Sequence, residues 1–327
     1  MIITLQLCKI YLGTYKIVGV PGVPLRTIGI KRLLKMERSR TPKENYLHNF
    51  TYNEQEFSFN KAKELMSKHL DFDGSVDLDE SINGISKVCL NNPLTKNALN
   101  GKMMLDLEKI VNKLDQQIEC KGVILYGADG NFCSGGDLNM MKQMNNPEMG
   151  YAMATYMNNI LDKFKKLPMI TVAFIEGSGA LGGGAELTTA CDYRLMSTKM
   201  ETTAIGFIHA KMGIVPAWGS TGRLMSIMGR QNTLNLLLDS RPLRAAEAMD
   251  IGLVDGTVAT LQDATDWLSQ KTRHHVNVIR AIKRTLSCHD DGTDGRAAAL
   301  MERKIFAPLW GGPANQMALD QYFSRNK

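Results

Sequence analysis

Along this chain the apolar positions switch between two spacings. Gly84 to Leu90 (GISKVCL) partly alternates, Asn91-Asn92-Pro93 makes a turn, and Leu99, Met103, Leu107, Ile110 and Leu114 then recur at helical intervals across Ala98 to Leu114. This is a strand feeding a helix. The pattern returns downstream: GVILY (Gly122 to Tyr126) is a short buried strand, Tyr151 to Lys166 a helix, and MITVAFI (Met169 to Ile175) another strand. Strands alternating with helices predict an α/β body with substantial parallel pairing. The C-terminal part turns helical, with helices predicted near Ser220 to Met228, Asn232 to Leu238, Leu261 to Lys271, Val276 to Leu286 and Arg296 to Phe306. Residues 1–73 read as a basic leader and a polar, poorly ordered appendage with one short helix around Phe59 to Leu70. Residues 74–259 are the expected α/β core and 260–327 the helical end.

Composition narrows the function classes. With 327 residues, 44% apolar and 22% charged, the chain can bury a full globular core. The six cysteines, Cys8, Cys89, Cys120, Cys133, Cys191 and Cys288, form no CxxC pair and no Cys/His alternation. Neither a metal site nor a disulfide framework is indicated, and a reducing compartment fits. The net charge of +6 is concentrated in the first 40 residues, where eight Lys/Arg face only Glu37; the remainder holds 31 basic and 32 acidic residues. The body therefore demands no broad basic surface, and nucleic acid is not an expected partner. No run of about 18 apolar residues predicts a membrane span. The acid-poor leader has the charge of a mitochondrial presequence but lacks its Ser-rich helical pattern, and an initiator at Met36 would remove most of it.

Two glycine-rich segments carry the candidate chemistry. NFCSGGDL (Asn131 to Leu138) follows the GVILY strand, and GSGALGGGAE (Gly177 to Glu186) follows MITVAFI before an apparently helical ELTTACDYRL. Glycines let a backbone turn tightly and approach a ligand, and a helix start leaves N–H groups free. The first segment alone reads as an ordinary turn. The second lacks the Lys-Ser/Thr of a phosphate loop and the GxGxxG spacing of a dinucleotide fold. Both emerge beyond neighbouring predicted strands, so their amides can converge on one oxygen as an oxyanion hole.

FCSGGD, PMITVAFIEG, ALGGGAELTTACDYRL and MGIVPAWGSTGRL, in that order, resemble the crotonase (enoyl-CoA hydratase/isomerase) superfamily over about residues 74 to 327. The resemblance implies a spiral of ββα units, a C-terminal helical trimerisation region giving a homotrimer or a dimer of trimers, and an acyl-CoA substrate whose thioester carbonyl sits in the hole. It places the amide donors on Cys133 and Gly183, with Gly135, Asp137, Leu138 and Gly182 beside them in the substrate site. Lys96, Asn97, Ala98 and Leu99 fall where the family wraps the adenine end of CoA. It calls for no cofactor beyond the CoA of the substrate, and for no metal.

Water-adding members use two glutamates. The first falls on Glu186, but the second position is His209, in FIHAKMGIVPAWG. Without the family, His209 reads as a structural histidine and Glu186 as an acid in a first helical turn. With it, the incomplete pair argues against hydration. The finer combination, extended to WGGPAN (Trp310 to Asn315), resembles the family's cytosolic decarboxylases of ethylmalonyl-CoA and methylmalonyl-CoA. Loss of CO2 then leaves an enolate on the thioester oxygen, and His209 or Glu186 orients the carboxylate or supplies the proton. Trp218 shapes a small pocket for the ethyl branch. An ionised Glu186 would repel the substrate carboxylate unless protonated or turned aside. The alternatives are an enoyl-CoA hydratase or isomerase, and a weakly catalytic acyl-CoA- or RNA-binding protein supported only by the basic leader.

Overall fold

In the computed structural model, which describes residues 57–68, 71–80, 83–290 and 294–325, the apolar runs become neighbours in one sheet. β1 (Ser75–Asp79) pairs antiparallel with β2 (Ile85–Asn91), and β3 (Gly122–Gly127), β4 (Ile170–Ile175), β6 (Tyr193–Ser197) and β8 (Gly256–Val258) continue in parallel, in the order β1-β2-β3-β4-β6-β8. Parallel strands are covered on both faces, which is why GVILY and ITVAFI are almost continuously apolar. On one face Ile85, Ile124, Val172, Phe174 and Leu195 pack beneath Ala264 and Leu268 of the helix Leu261–Lys271. Each such side chain contributes about 1.5–3 kcal/mol by leaving water.

A second, smaller layer stacks beside this sheet. β5 (Ala180–Leu181) pairs with β7 (Ile205–Gly206), Cys133 bridges Ala180, Leu99 bridges Gly136 and Leu243 bridges Ile205. β2, β3, β4 and β6 are therefore each followed by a short segment in this stack and then by a helix, which is the expected ββα spiral. The helices begin at sequence-encoded caps: the Asn100 side chain accepts from Met103 N ahead of Gly101–Asp115, and Asn146 accepts from Met149 N ahead of Pro147–Lys165, with Pro147 in the first turn.

Several expectations change. Residues 1–56, most of the expected leader and appendage, lie outside the described residues. Phe59–Met66 is a helix, but not an appendage: Ala62 and Met66 are fully buried and Phe59 stacks on Tyr156 at 5.3 Å, so the folded body starts before residue 74. The helix entered by GGG stops at Thr188, and YRLMS forms β6, between β4 and the edge strand β8. The two helices expected across 220–238 are both present: the helical run Ser220–Asp239 is divided at Gly229, whose backbone (φ 77°, ψ 166°) is not helical. The helical end comprises Leu261–Lys271, Val276–Asp290, Gly295–Phe306 and Pro313–Arg325, the last without a prior sequence signal. Buried Lys283 pairs with Asp192 and ties Val276–Asp290 to the β6 entry. Among the described residues no helix is long and apolar enough to cross a membrane, and no group of His, Cys, Asp and Glu could hold a metal.

Candidate active site

The two glycine segments meet. A Cβ placed on Gly135, whose φ is 116°, would lie 3.0 Å from Leu181 O and 3.5 Å from Gly183 N, so this position brings one segment's backbone against the other. Together with Glu186, His209 and Trp218 they line a cavity of about 550 Å³ that also takes in Thr95, Ala98, Ser134, Asp137, Leu138, Gly182 and Lys142.

Hydrogen bonding reassigns one donor. Cys133 N–H donates to Gly179 O at 3.2 Å, and Cys133 is fully buried outside the cavity lining, so it has no amide to offer a ligand. Burial pushes its thiol up to about 12. Gly136 has the free group instead. Gly135 C=O accepts from Leu99 N at 2.8 Å, and in a trans peptide the following N–H points the opposite way. The Gly136 N–H therefore faces away from Leu99 and finds no acceptor among the described residues. Gly183 N–H is likewise unpaired there, because Gly182 C=O, in the same peptide, is turned into the helix to accept from Glu186 N at 3.1 Å. The missed signal was strand alternation: Cys133 and Gly136 are an odd number of positions apart, so they present opposite edges.

Glu186, 2% exposed, is clamped. Its Oε2 accepts from Ser220 Oγ at 2.7 Å and Trp218 N at 2.9 Å; its Oε1 accepts from His209 Nε2 at 3.0 Å and Ala217 N at 3.5 Å. The carboxyl is thus turned aside onto protein donors. His209 is 7% exposed, lines the cavity, and keeps its Nδ1 without a partner among the described residues. Trp218 is buried against the second segment: a Cβ on Gly183 would come within 2.4 Å of its ring, so only glycine fits there. Sequence reading missed Ser220 and the Ala217 and Trp218 amides, which gather on Glu186 only through the fold.

The remaining site residues divide. Ala98 lines the cavity and Lys96 is exposed, but Asn97 is fully buried and spends its side chain on Asn92 N, Ala128 O and Asn131 O at 2.8, 2.9 and 2.6 Å. Leu99 is core, with its amide given to Gly135. These two therefore hold the turn and do not face a ligand. Asp137 lines the cavity while its Oδ1 caps the helix Leu138–Gln143 through Asn139 N and Met140 N at 2.8 and 2.9 Å. Leu138 is 60% exposed at the cavity edge.

The chain is similar to several known proteins. The ethylmalonyl-CoA decarboxylase of Mus musculus is 43% identical over 252 residues, covering 75% of this chain and 77% of its own. Those of Xenopus laevis and Homo sapiens are both 41% identical, covering 80% and 78% of this chain and 87% and 83% of theirs. The crystal structure of enoyl-CoA hydratase from Thermoplasma volcanium is similar with a TM-score of 0.68 at 26% identity, over 76% of this chain and 96% of that one. A hydratase from Bacillus anthracis, at 24% identity and a TM-score of 0.68, shares the fold over 76% of this chain and 96% of its own. The pattern of the enoyl-CoA hydratase/isomerase family matches residues 80–327. With that match, the ββα spiral and the two meeting glycine segments, the chain belongs to the enoyl-CoA hydratase/isomerase family, the crotonase superfamily.

Proposed function

We propose that the protein decarboxylates branched malonyl-CoA thioesters, ethylmalonyl-CoA to butyryl-CoA and methylmalonyl-CoA to propionyl-CoA. The observation that carries this reading is the His209–Glu186 pair: Glu186 has its oxygens taken up by protein donors, and the imidazole beside it keeps Nδ1 unpartnered among the described residues. Adding water to a double bond calls for two groups that hold and activate a water. Releasing CO2 calls for an electron sink and one proton. Names of relatives at 41–43% identity point the same way.

In the proposed reaction the thioester carbonyl oxygen accepts from the Gly136 and Gly183 N–H groups. The bond between Cα and the carboxylate breaks, CO2 leaves, and the electron pair moves into the thioester as an enolate. Each amide donor aimed at the developing oxyanion supplies about 3 kcal/mol of transition-state stabilisation. His209, doubly protonated, directs Nδ1–H at the substrate carboxylate, and its Nε2–H stays on Glu186. Once CO2 has gone, the Nδ1 proton passes to Cα, giving the saturated acyl-CoA, and the imidazole is reprotonated from solvent. Glu186 positions the ring and stands clear of the substrate carboxylate. Trp218 limits the branch to a short alkyl group. Lys96 and Ala98 fit a role beside the adenine end of CoA, and the exposed apolar side chains of the C-terminal helical region, such as Phe306, Trp310 and Phe323, fit a trimer contact. No cofactor is needed.

Side-by-side incubation with ethylmalonyl-CoA and crotonyl-CoA, read by mass spectrometry, tests the reading. Butyryl-CoA from the first with no 3-hydroxybutyryl-CoA from the second is expected; the reverse would replace it with hydration.

A further inference from the structure

Behind Glu186 lies a closed loop of hydrogen bonds that reaches it at both its main chain and its carboxyl. Trp218 N donates to Glu186 Oε2 at 2.9 Å; Trp218 C=O accepts from Arg223 Nη2 at 2.7 Å; Arg223 Nε donates to Thr189 Oγ1 at 2.9 Å; and Thr189 Oγ1 donates to Glu186 C=O at 2.7 Å. We propose that Arg223 and Thr189 are positioning residues that fix Glu186, and through it the His209 ring, for the proton transfer.

The loop has few other ways to close. Thr189 is 2% exposed, Trp218 3% and Arg223 9%, so a broken bond here is not replaced by bulk water. Arg223 sits on Ser220–Asp239 and Thr189 at the end of Gly183–Thr188, so the guanidinium holds two elements at one spacing. That spacing sets both the Trp218 ring over Gly183 and the Trp218 amide on Glu186. A planar guanidinium can span Thr189 and Trp218 with separate nitrogens, whereas a lysine ammonium is a single point. Burial pulls the Arg223 guanidinium down from its ordinary value, and the Glu186 charge opposes that shift. Neither residue lines the cavity, so each acts through Glu186 and Trp218.

The inference rests on the proposed decarboxylation, and its test separates the two. Arg223→Lys, Thr189→Val and Thr189→Ser are compared with wild type for kcat and KM on ethylmalonyl-CoA and for thermal midpoint. In 15N-histidine-labelled protein, the slowly exchanging Nε2 proton of His209 is followed as well, assigned by its absence in His209→Ala. Misplacing a reacting group by about 1 Å costs on the order of 100-fold, so Thr189→Val and Arg223→Lys are expected to lose about 10- to 100-fold in kcat, with KM changed by less than about threefold. Both lose the slow His209 proton, and Thr189→Ser, which keeps the hydroxyl, retains both. If Arg223→Lys does not fold, the Thr189 pair decides alone. A Thr189→Val enzyme with wild-type kcat and an intact His209 signal overturns the proposal. A wild type that releases no CO2 yet shows this His209 pattern leaves the positioning loop standing and sinks the decarboxylase reading.

Discussion

Nε2 of His209 lies 3.0 Å from Oε1 of Glu186, while Nδ1 of the same ring has no partner among the described residues. One nitrogen is anchored and the other is buried with its hydrogen-bonding capacity unspent among the described residues. Replacing His209 by Ala removes the proposed proton donor, and a positioned acid is worth about 10²- to 10⁴-fold. A kcat loss in that range on ethylmalonyl-CoA is the expected outcome. Glu186→Gln keeps the size but turns an NH2 group toward two of its four donors, so a smaller loss, about tenfold or more, is expected. Steady-state turnover of the two variants checks the roles; wild-type rates in both would remove them.

Gly183 has no room for a side chain. An alanine Cβ would come within 2.4 Å of the Trp218 ring. Overpacking of this kind costs about 1–3 kcal/mol, so Gly183→Ala is expected to melt earlier and to lose turnover as its amide is displaced. Combining it with Trp218→Phe should recover part of the thermal midpoint. A Gly183→Ala enzyme with unchanged melting and kcat would contradict the close packing.

In the proposed reaction Trp218 limits the size of the branch. Trp218→Phe enlarges the cavity while keeping an aromatic ring. A methylene in an apolar pocket is worth about 10- to 200-fold in selectivity, so the ratio of kcat/KM for ethyl- over butyl-malonyl-CoA is expected to fall about tenfold or more on this substitution. Competition assays with both thioesters measure it directly.

Much of the fold was readable from apolar spacing. GVILY and ITVAFI become β3 and β4 because strands buried on both faces announce themselves as short apolar runs. ELTTACDYRL misled, since a six-residue helix ending at Thr188 and the strand Tyr193–Ser197 are both apolar and too close together to show separate periods. Among site residues, Glu186, His209, Gly183 and Trp218 share one cavity as expected. Cys133 and Asn97 do not face it: their polar groups are consumed by Gly179 O and by Asn92, Ala128 and Asn131, and all of these contacts but the one to Asn92 cross 31 to 46 positions that local sequence does not record. Arg223, Thr189 and Ser220 were invisible for the same reason.

The buried thiols of Cys133 and Cys191 are pushed up to about 12 by loss of solvation. Both thiols stay protonated in the folded protein at pH 9 to 12 while an unfolded chain, with the ordinary value of 9.0, loses those protons. Their contribution is therefore fully present below pH 9 and is lost as pH rises toward 12, by up to about 1.4 kcal/mol per pH unit for each thiol. Urea unfolding at pH 8 and pH 10 should show a steeper loss for wild type than for Cys191→Ser. In the folded enzyme at pH 8, iodoacetamide should leave Cys133 and Cys191 unmodified and turnover intact; alkylation of either before unfolding would contradict their burial.

Isotopic accounting of one turnover tests the central claim most directly. Ethylmalonyl-CoA labelled with ¹³C in its free carboxylate is incubated with the enzyme in D2O and the products are resolved by mass spectrometry. The expected result is ¹³CO2 together with butyryl-CoA carrying a single deuterium at C2, as an enolate protonated from an exchangeable donor requires. Retention of the ¹³C in the thioester, alongside conversion of crotonyl-CoA to 3-hydroxybutyryl-CoA, would contradict it.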